Sequence, residues 1–93
     1  MLLSVCIPTY NRAKSLANCL NSIKIAQKFA CNTEVEVCIS DNASDDNTKE
    51  IVQRFQKDIK IKYLRNNENL GFARNAIKTV SSASGEFSWL IGD

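Results

Sequence analysis

Leu2-Leu3-Ser4-Val5-Cys6-Ile7, closed by Pro8, and Val35-Glu36-Val37-Cys38-Ile39-Ser40, closed by Asp41, are the stretches whose reading decides the fold. The first is an apolar run with no alternation, the pattern of a strand covered on both faces, so it belongs at the centre of a sheet. Between the two, over residues 13–29, Leu16, Cys19, Leu20, Ile23 and Ala26 or Ala30 recur at intervals of three and four, with Lys14, Asn18 and Lys28 turned outward. That spacing predicts an amphipathic helix, with Asn11 as its N-cap. Strand, helix and strand in this order make a βαβ unit.

Beyond residue 41 the same alternation continues. Asp41-Asn42-Ala43-Ser44-Asp45-Asp46-Asn47 is a cluster of turn and cap formers, and Asn47-x-x-Glu50 fits a capping box opening a short helix with Ile51, Val52 and Phe55 inward. Ile59-Lys60-Ile61-Lys62-Tyr63 alternates strictly, which predicts an edge strand protected by lysines. A third helix is expected over residues 71–84, with Phe72, Ala73, Ala76, Ile77, Val80 and Ala83 inward and Gly85 terminating it. Phe87-Ser88-Trp89-Leu90-Ile91 reads as a fourth strand. The order βαβαβαβ predicts an α/β, mostly parallel sheet of four strands with right-handed crossovers and helices on both faces.

Composition narrows the chemistry. Ninety-three residues accommodate one domain. No apolar run approaches the roughly 18 residues of a membrane span, and Met1-Leu2-Leu3 lacks the basic start of a signal peptide, which predicts a cytoplasmic location. Twelve basic and ten acidic residues leave a net charge of +2, too weak a field to argue for nucleic acid. The basic run Arg54, Lys57, Lys60, Lys62 and Arg65 has no interleaved aromatics and reads as solvated surface. With no histidine, any catalysis rests on carboxylates, hydroxyls, arginine or backbone. Cys6, Cys19, Cys31 and Cys38 show no C-x-x-C spacing and read as reduced thiols.

In open parallel sheets, ligands bind beyond the carboxyl ends of the strands, where strand order reverses. Four segments lie there. Pro8-Thr9-Tyr10-Asn11-Arg12 offers a hydroxyl and a flat ring suited to a nucleobase. In the second, Asp41, with Asn42 beside it, is expected to face the crevice and accept hydrogen bonds from base or ribose, whereas Asp45 and Asp46 suit helix capping. Asn69-Leu70-Gly71-Phe72-Ala73-Arg74-Asn75 places a glycine and Arg74 at a helix start, a cradle for diphosphate, without a Walker motif or a G-x-G-x-x-G fingerprint. Gly92-Asp93 ends a strand on a carboxylate suited to a divalent cation.

Taken together, Ser4 to Arg12, Ile39 to Thr48, Asn69 to Ala76 and Phe87 to Asp93 resemble the N-terminal, nucleotide-binding half of family 2 glycosyltransferases, inverting enzymes of the GT-A fold. The segments look like that family's opening strand motif, its D-x-S-x-D-x-T segment, its N-x-G-x-x-x-A-R-N element at slightly altered spacing, and the strand leading to its metal-binding aspartates; the resemblance implies a Rossmann-like sheet with its four strands in the order 3-2-1-4. The resemblance implies that Pro8, Thr9, Tyr10, Asn11 and Arg12 surround the nucleoside and that Asp41, with Asn42, meets the base, usually uracil. It implies that Gly71 and Arg74 face ribose and diphosphate, and that Asp93 takes part in binding Mn²⁺ or Mg²⁺. Residues 1–93 would then be the nucleotide-sugar-binding part of a domain cut at its metal motif, with the catalytic base beyond residue 93 and the fragment inactive alone. The expected function is transfer of a sugar from a nucleotide-diphosphate donor, such as a UDP-sugar, to the hydroxyl of an acceptor saccharide or lipid-linked saccharide in bacterial surface polysaccharide assembly, at the inner face of the membrane. Self-association through an exposed sheet edge is also expected. The alternative is a non-catalytic nucleotide-binding or interaction module of the same fold; a receiver domain fits poorly, because its acidic ends would fall where Pro8-Thr9 and Arg65-Asn66 stand.

Overall fold

A computed structural model of the chain describes residues 2–30 and 33–93. Cys31 lies outside them. Four strands, β1 (Leu2–Thr9), β2 (Glu34–Asp41), β3 (Ile61–Arg65) and β4 (Phe87–Leu90), alternate with helices α1 (Ala13–Gln27), α2 (Thr48–Phe55) and α3 (Phe72–Ser81). All strand pairs are parallel, as the alternation of elements predicted, and the order is β3-β2-β1-β4, as the family resemblance implied.

Strand β1 runs two residues past its predicted end, through Pro8 to Thr9. Alternate residues of a strand bond alternate neighbours: the Cys6 carbonyl accepts from Ile91 N on the β4 side and the Thr9 carbonyl from Asn42 N on the β2 side. Pro8, in phase with Cys6, therefore turns its missing donor toward β4, whose pairing ends at Leu90 opposite Cys6. The proline costs no ladder bond.

One sheet face is apolar. Val5, Ile7, Val37 and Ile39 pack with Leu16 and Leu20 of α1 and Ile51 and Val52 of α2, all buried. The opposite face, under α3, mixes the thiols of Cys6 and Cys38 with polar side chains. Ser4, Glu36 and Ser40 are fully buried there, and α3 meets them with Asn75 and Thr79 rather than with the apolar stripe predicted for it. Phe72 is 73% and Ile77 68% exposed, and Val80 is also open; only Ala76 of that stripe is buried. The physical reason is the partner surface: a sheet face carrying a carboxylate and two hydroxyls needs donors and acceptors from the helix above it, not methyl groups.

Glu36 is the centre of that face. Its Oε2 accepts from Ser4 Oγ at 2.6 Å and from both the backbone N and Oγ of Ser84 at 2.8 Å. Lys62 Nζ stands 3.2 Å from Oε1, an ion pair without hydrogen-bond alignment. Lys62, read as edge protection, thus reaches inward. Other predictions shift for local reasons. Strand β3 starts two residues late because Ile59 N donates to the Phe55 carbonyl at 3.0 Å in the turn that closes α2. Helix α1 ends at Gln27, leaving Ala26 on an exposed face. Helix α3 ends at Ser81, and Gly85 is glycine because it packs on β1.

Candidate functional site

The loops at the carboxyl ends of β1 and β2 are laced together. Asn11, predicted as an N-cap, instead adopts a left-handed φ of 50°; its backbone N donates to Ser44 Oγ at 2.9 Å and its Oδ1 accepts from Asp45 N at 2.7 Å. Helix α1 has Arg12 at its N-cap without a side-chain bond. Asp46 caps both helices: Oδ2 accepts from Ala13 N and Oδ1 from Thr48 N, each at 3.1 Å. Asn47 makes no capping bond, so the predicted capping box is absent. Burial would raise the Asp46 pKa, but the hydrogen bonds from Thr48 and Ala13 outweigh it and hold the carboxyl below its usual range.

Above this lacing opens a cavity of about 620 Å³, lined by Pro8, Thr9, Tyr10, Arg12, Asn42, Asn69, Gly71, Phe72, Asn75, Gly92 and Asp93. It brings together seven of the residues expected from sequence: Pro8, Thr9, Tyr10, Arg12, Asn42, Gly71 and Asp93. Asn11 supports it from the loop below. Thr9 Oγ1 donates to Asp93 Oδ2, and Arg12 Nε lies 3.8 Å from Asp93 Oδ1. The termini of β1 and β4 are joined by this contact. Gly71 holds φ +85° and ψ 159°, a region open essentially to glycine alone, which turns the chain into α3.

Two expectations change. Asp41 does not line the cavity: it is fully buried, Oδ1 accepting from Ser44 N at 3.0 Å and Oδ2 from Tyr63 hydroxyl at 2.5 Å and Arg65 Nη1 at 3.2 Å. Burial, then the hydrogen bond to Asp41, pushes the Tyr63 hydroxyl up to about 12. Asp41 thus ties β2 to β3 beneath the site. Arg74 is exposed and outside the cavity lining, because the next residue, Asn75, is the one on the α3 face that turns to the sheet. Sequence reasoning missed Asn69, Phe72, Asn75 and Gly92 as lining residues. For Phe72 the signal was available: a phenylalanine directly after a loop glycine, at the first position of a helix, sits at the strand-end crevice before it sits in any core.

With that geometry in hand the class can be stated. Residues 4–93 match glycosyl transferase family 2, and the chain belongs to that family. It is 48% identical over 94 residues to abequosyltransferase RfbV of Salmonella typhimurium, covering 99% of this chain and 28% of that protein. It is 40% identical over 93 residues to the GalNAc(5)-diNAcBac-PP-undecaprenol beta-1,3-glucosyltransferase of Campylobacter jejuni, covering 98% and 29%. The crystal structure of S. aureus TarS with UDP superposes with a TM-score of 0.83 at 29% identity, over 99% of this chain and 27% of that one. A Pyrobaculum calidifontis mannosyltransferase in complex with GDP-Man and Mn²⁺ gives 0.62 at 27% identity, over 90% and 25%. The chain therefore spans under a third of the length of these relatives.

Proposed function

We propose that residues 1–93 are the nucleotide-sugar-binding part of a glycosyltransferase that passes a sugar from a nucleoside-diphosphate donor, with UDP as the nucleotide, to an acceptor hydroxyl. The observation that carries this reading is the cavity itself, where Thr9 and Tyr10 at one strand end meet Asp93 at another. Two exposed rings, Tyr10 and Phe72, line it and offer flat apolar faces to a base and ribose. The likeness to a UDP-bound structure over nearly the whole chain supports the choice of nucleotide.

Among the described residues Asp93 is the one carboxylate lining the cavity, and no cluster of three metal-ligating side chains occurs. A single carboxylate fits Mg²⁺ or Mn²⁺ of the kind that keeps several waters and takes its remaining ligands from phosphate oxygens. Asp93 would hold such a cation; when bound, it would supply charge neutralisation at the departing diphosphate. Thr9 orients the Asp93 carboxylate, and Arg12, itself largely exposed, can turn from Asp93 to a phosphate. In this reading the acceptor site and the base that deprotonates the acceptor hydroxyl belong to the portion of the relatives that the chain does not span. The acceptor is a saccharide or lipid-linked saccharide of bacterial surface polysaccharide assembly, a reading supported by the undecaprenol-linked substrate in the name of the Campylobacter relative.

Titration calorimetry with UDP, with and without Mn²⁺, tests the reading. Binding should be strengthened by Mn²⁺ in the wild type, and Asp93→Asn should abolish that gain while leaving metal-free binding intact. Tyr10→Ala should weaken both about tenfold, a change of about 1.4 kcal/mol. Absence of UDP binding, or indifference to both substitutions, overturns it.

A further inference from the structure

Helix α1 turns an apolar pair to solvent at its C-terminal end. Ile25 is 50% and Phe29 80% exposed, one turn apart on the side opposite the buried Leu16 and Leu20. Ala26 and Ala30, the next pair at the same spacing, are exposed beside them. Phe29 does not sit on a frayed end. Its backbone N donates to the Ala26 carbonyl at 3.0 Å and Lys28 N donates to the Ile25 carbonyl at 3.1 Å, so the helix closes in a tight turn that holds the ring outward. Single exposed apolar residues are ordinary, whereas a contiguous group marks a contact surface.

The net charge of +2 is unevenly spread along the chain. Up to Thr33 the charged side chains are Arg12, Lys14, Lys24 and Lys28, and the first acid is Glu34. Lys28 is exposed beside Phe29, and the exposed Lys57 and Lys60 approach the same end of the molecule from the turn after α2, Lys60 sharing a hollow with Gln27 and Glu34. The acids at this end are Glu34 and Asp58, and Asp58 is already tied to Lys24 at 3.2 Å, so positive charge is in excess. A helix C-terminus favours lysines on its own account, but it gives no reason for Ile25 and Phe29 to stand among them. An apolar tip flanked by lysines suits the interface of an anionic bilayer: the ring settles at the headgroup boundary while lysine stems lie along the apolar surface and carry their ammonium groups to the phosphates. Phe29 projects from the helix end rather than lining a groove, which suits a fluid surface more than a shaped one.

We propose that the C-terminal end of α1, through Ile25 and Phe29 with Lys28 and the lysines around it, is a docking surface for an anionic lipid bilayer. Helix α1 starts beside the cavity, where Arg12 reaches Asp93, and its 15 residues at about 1.5 Å each put the patch roughly 22 Å from that end. Docking therefore leaves the cavity open to a nucleotide arriving from solution. One aromatic and one aliphatic side chain give shallow, reversible attachment, which each lysine strengthens. The inference does not rest on the nucleotide reading; it adds a surface that holds the protein where a lipid-linked acceptor would lie.

Co-sedimentation of the chain with lipid vesicles, without nucleotide, tests it. Vesicles of phosphatidylcholine mixed with phosphatidylglycerol should carry the chain down at low salt, and either raised salt or pure phosphatidylcholine should leave it in solution. Phe29→Ser should weaken binding about tenfold and Lys28→Gln about threefold to fivefold. Both side chains are exposed, so circular dichroism and the denaturation midpoint should stay at their wild-type values. Ile77→Ser, on the exposed side of α3, should leave vesicle binding unchanged. A chain that stays in the supernatant with anionic vesicles, as a protein-docking surface would leave it, overturns the inference. Equal binding to neutral vesicles overturns it too, as does binding that Ile77→Ser abolishes and Phe29→Ser does not. Calorimetry with UDP is a separate measurement, so either reading can fail without the other.

Discussion

Glu36 shows how a single residue can hold a face of the sheet together. Burial alone would raise its pKa, but three hydrogen bonds from Ser4 and Ser84, with Lys62 beside it, outweigh that cost and lower it from 4.5 to about 2. A depressed folded pKa means stability that is present above the unfolded value and lost as pH falls through the folded one. Protonation should therefore remove on the order of 3 kcal/mol between about pH 5 and pH 2. Urea unfolding across that range should show this slope, and Glu36→Gln should flatten it while lowering stability at pH 7. An equal slope in the variant would contradict the assignment. In the sequence Glu36 is one polar residue among valines, and nothing local says whether it faces solvent; its burial follows from α3 and the junction after it arriving over that face, where Ser84, 48 residues away, donates to it.

At the scale of elements, the junction between α3 and β4 is held by a close approach. A Cβ on Gly85 would lie 2.7 Å from Ser4 Oγ, 2.8 Å from the Leu2 carbonyl oxygen and 2.9 Å from Ser4 N. Two of these atoms are β1 backbone and cannot swing away. Gly85→Ala should therefore destabilise by about 1–3 kcal/mol, measured as a fall in denaturation midpoint, and should also break the 2.8 Å bond from Gly85 N to Ser4 Oγ. Alanine tolerated without loss would show that the junction yields. The existence, kind and order of all seven elements were legible from periodicity and breakers, because those are local. Boundaries and facing were less so: Asp46 rather than Asn47 caps α2, since it also serves Ala13 of α1, a partner that only the packed loops supply.

At the scale of the molecule, one flank stays apolar. Strand β4 is exposed along its length, with Phe87 and Trp89 both 59% exposed, while Ile77, Val80 and Leu90 line a shallow groove between it and α3. An outer strand edge flanked by apolar side chains on both faces invites pairing with another strand. The 93-residue chain should therefore show a concentration-dependent mass in analytical ultracentrifugation, reduced by Trp89→Lys; a monomer at all concentrations would contradict this. By itself the sequence determined the alternating elements of the parallel α/β sheet and the strand-end segments that line the cavity, because apolar periodicity, glycine and proline act over a few residues. Only the tertiary structure decided that Asp41 is sealed beneath the site, that Arg74 yields its place to Asn75, and that Lys78, Asn66, Asn42 and Asn69 form one hydrogen-bonded chain with Asn75 on a branch. Burial and hydrogen-bond direction depend on residues brought together from distant strands, and no local pattern encodes them.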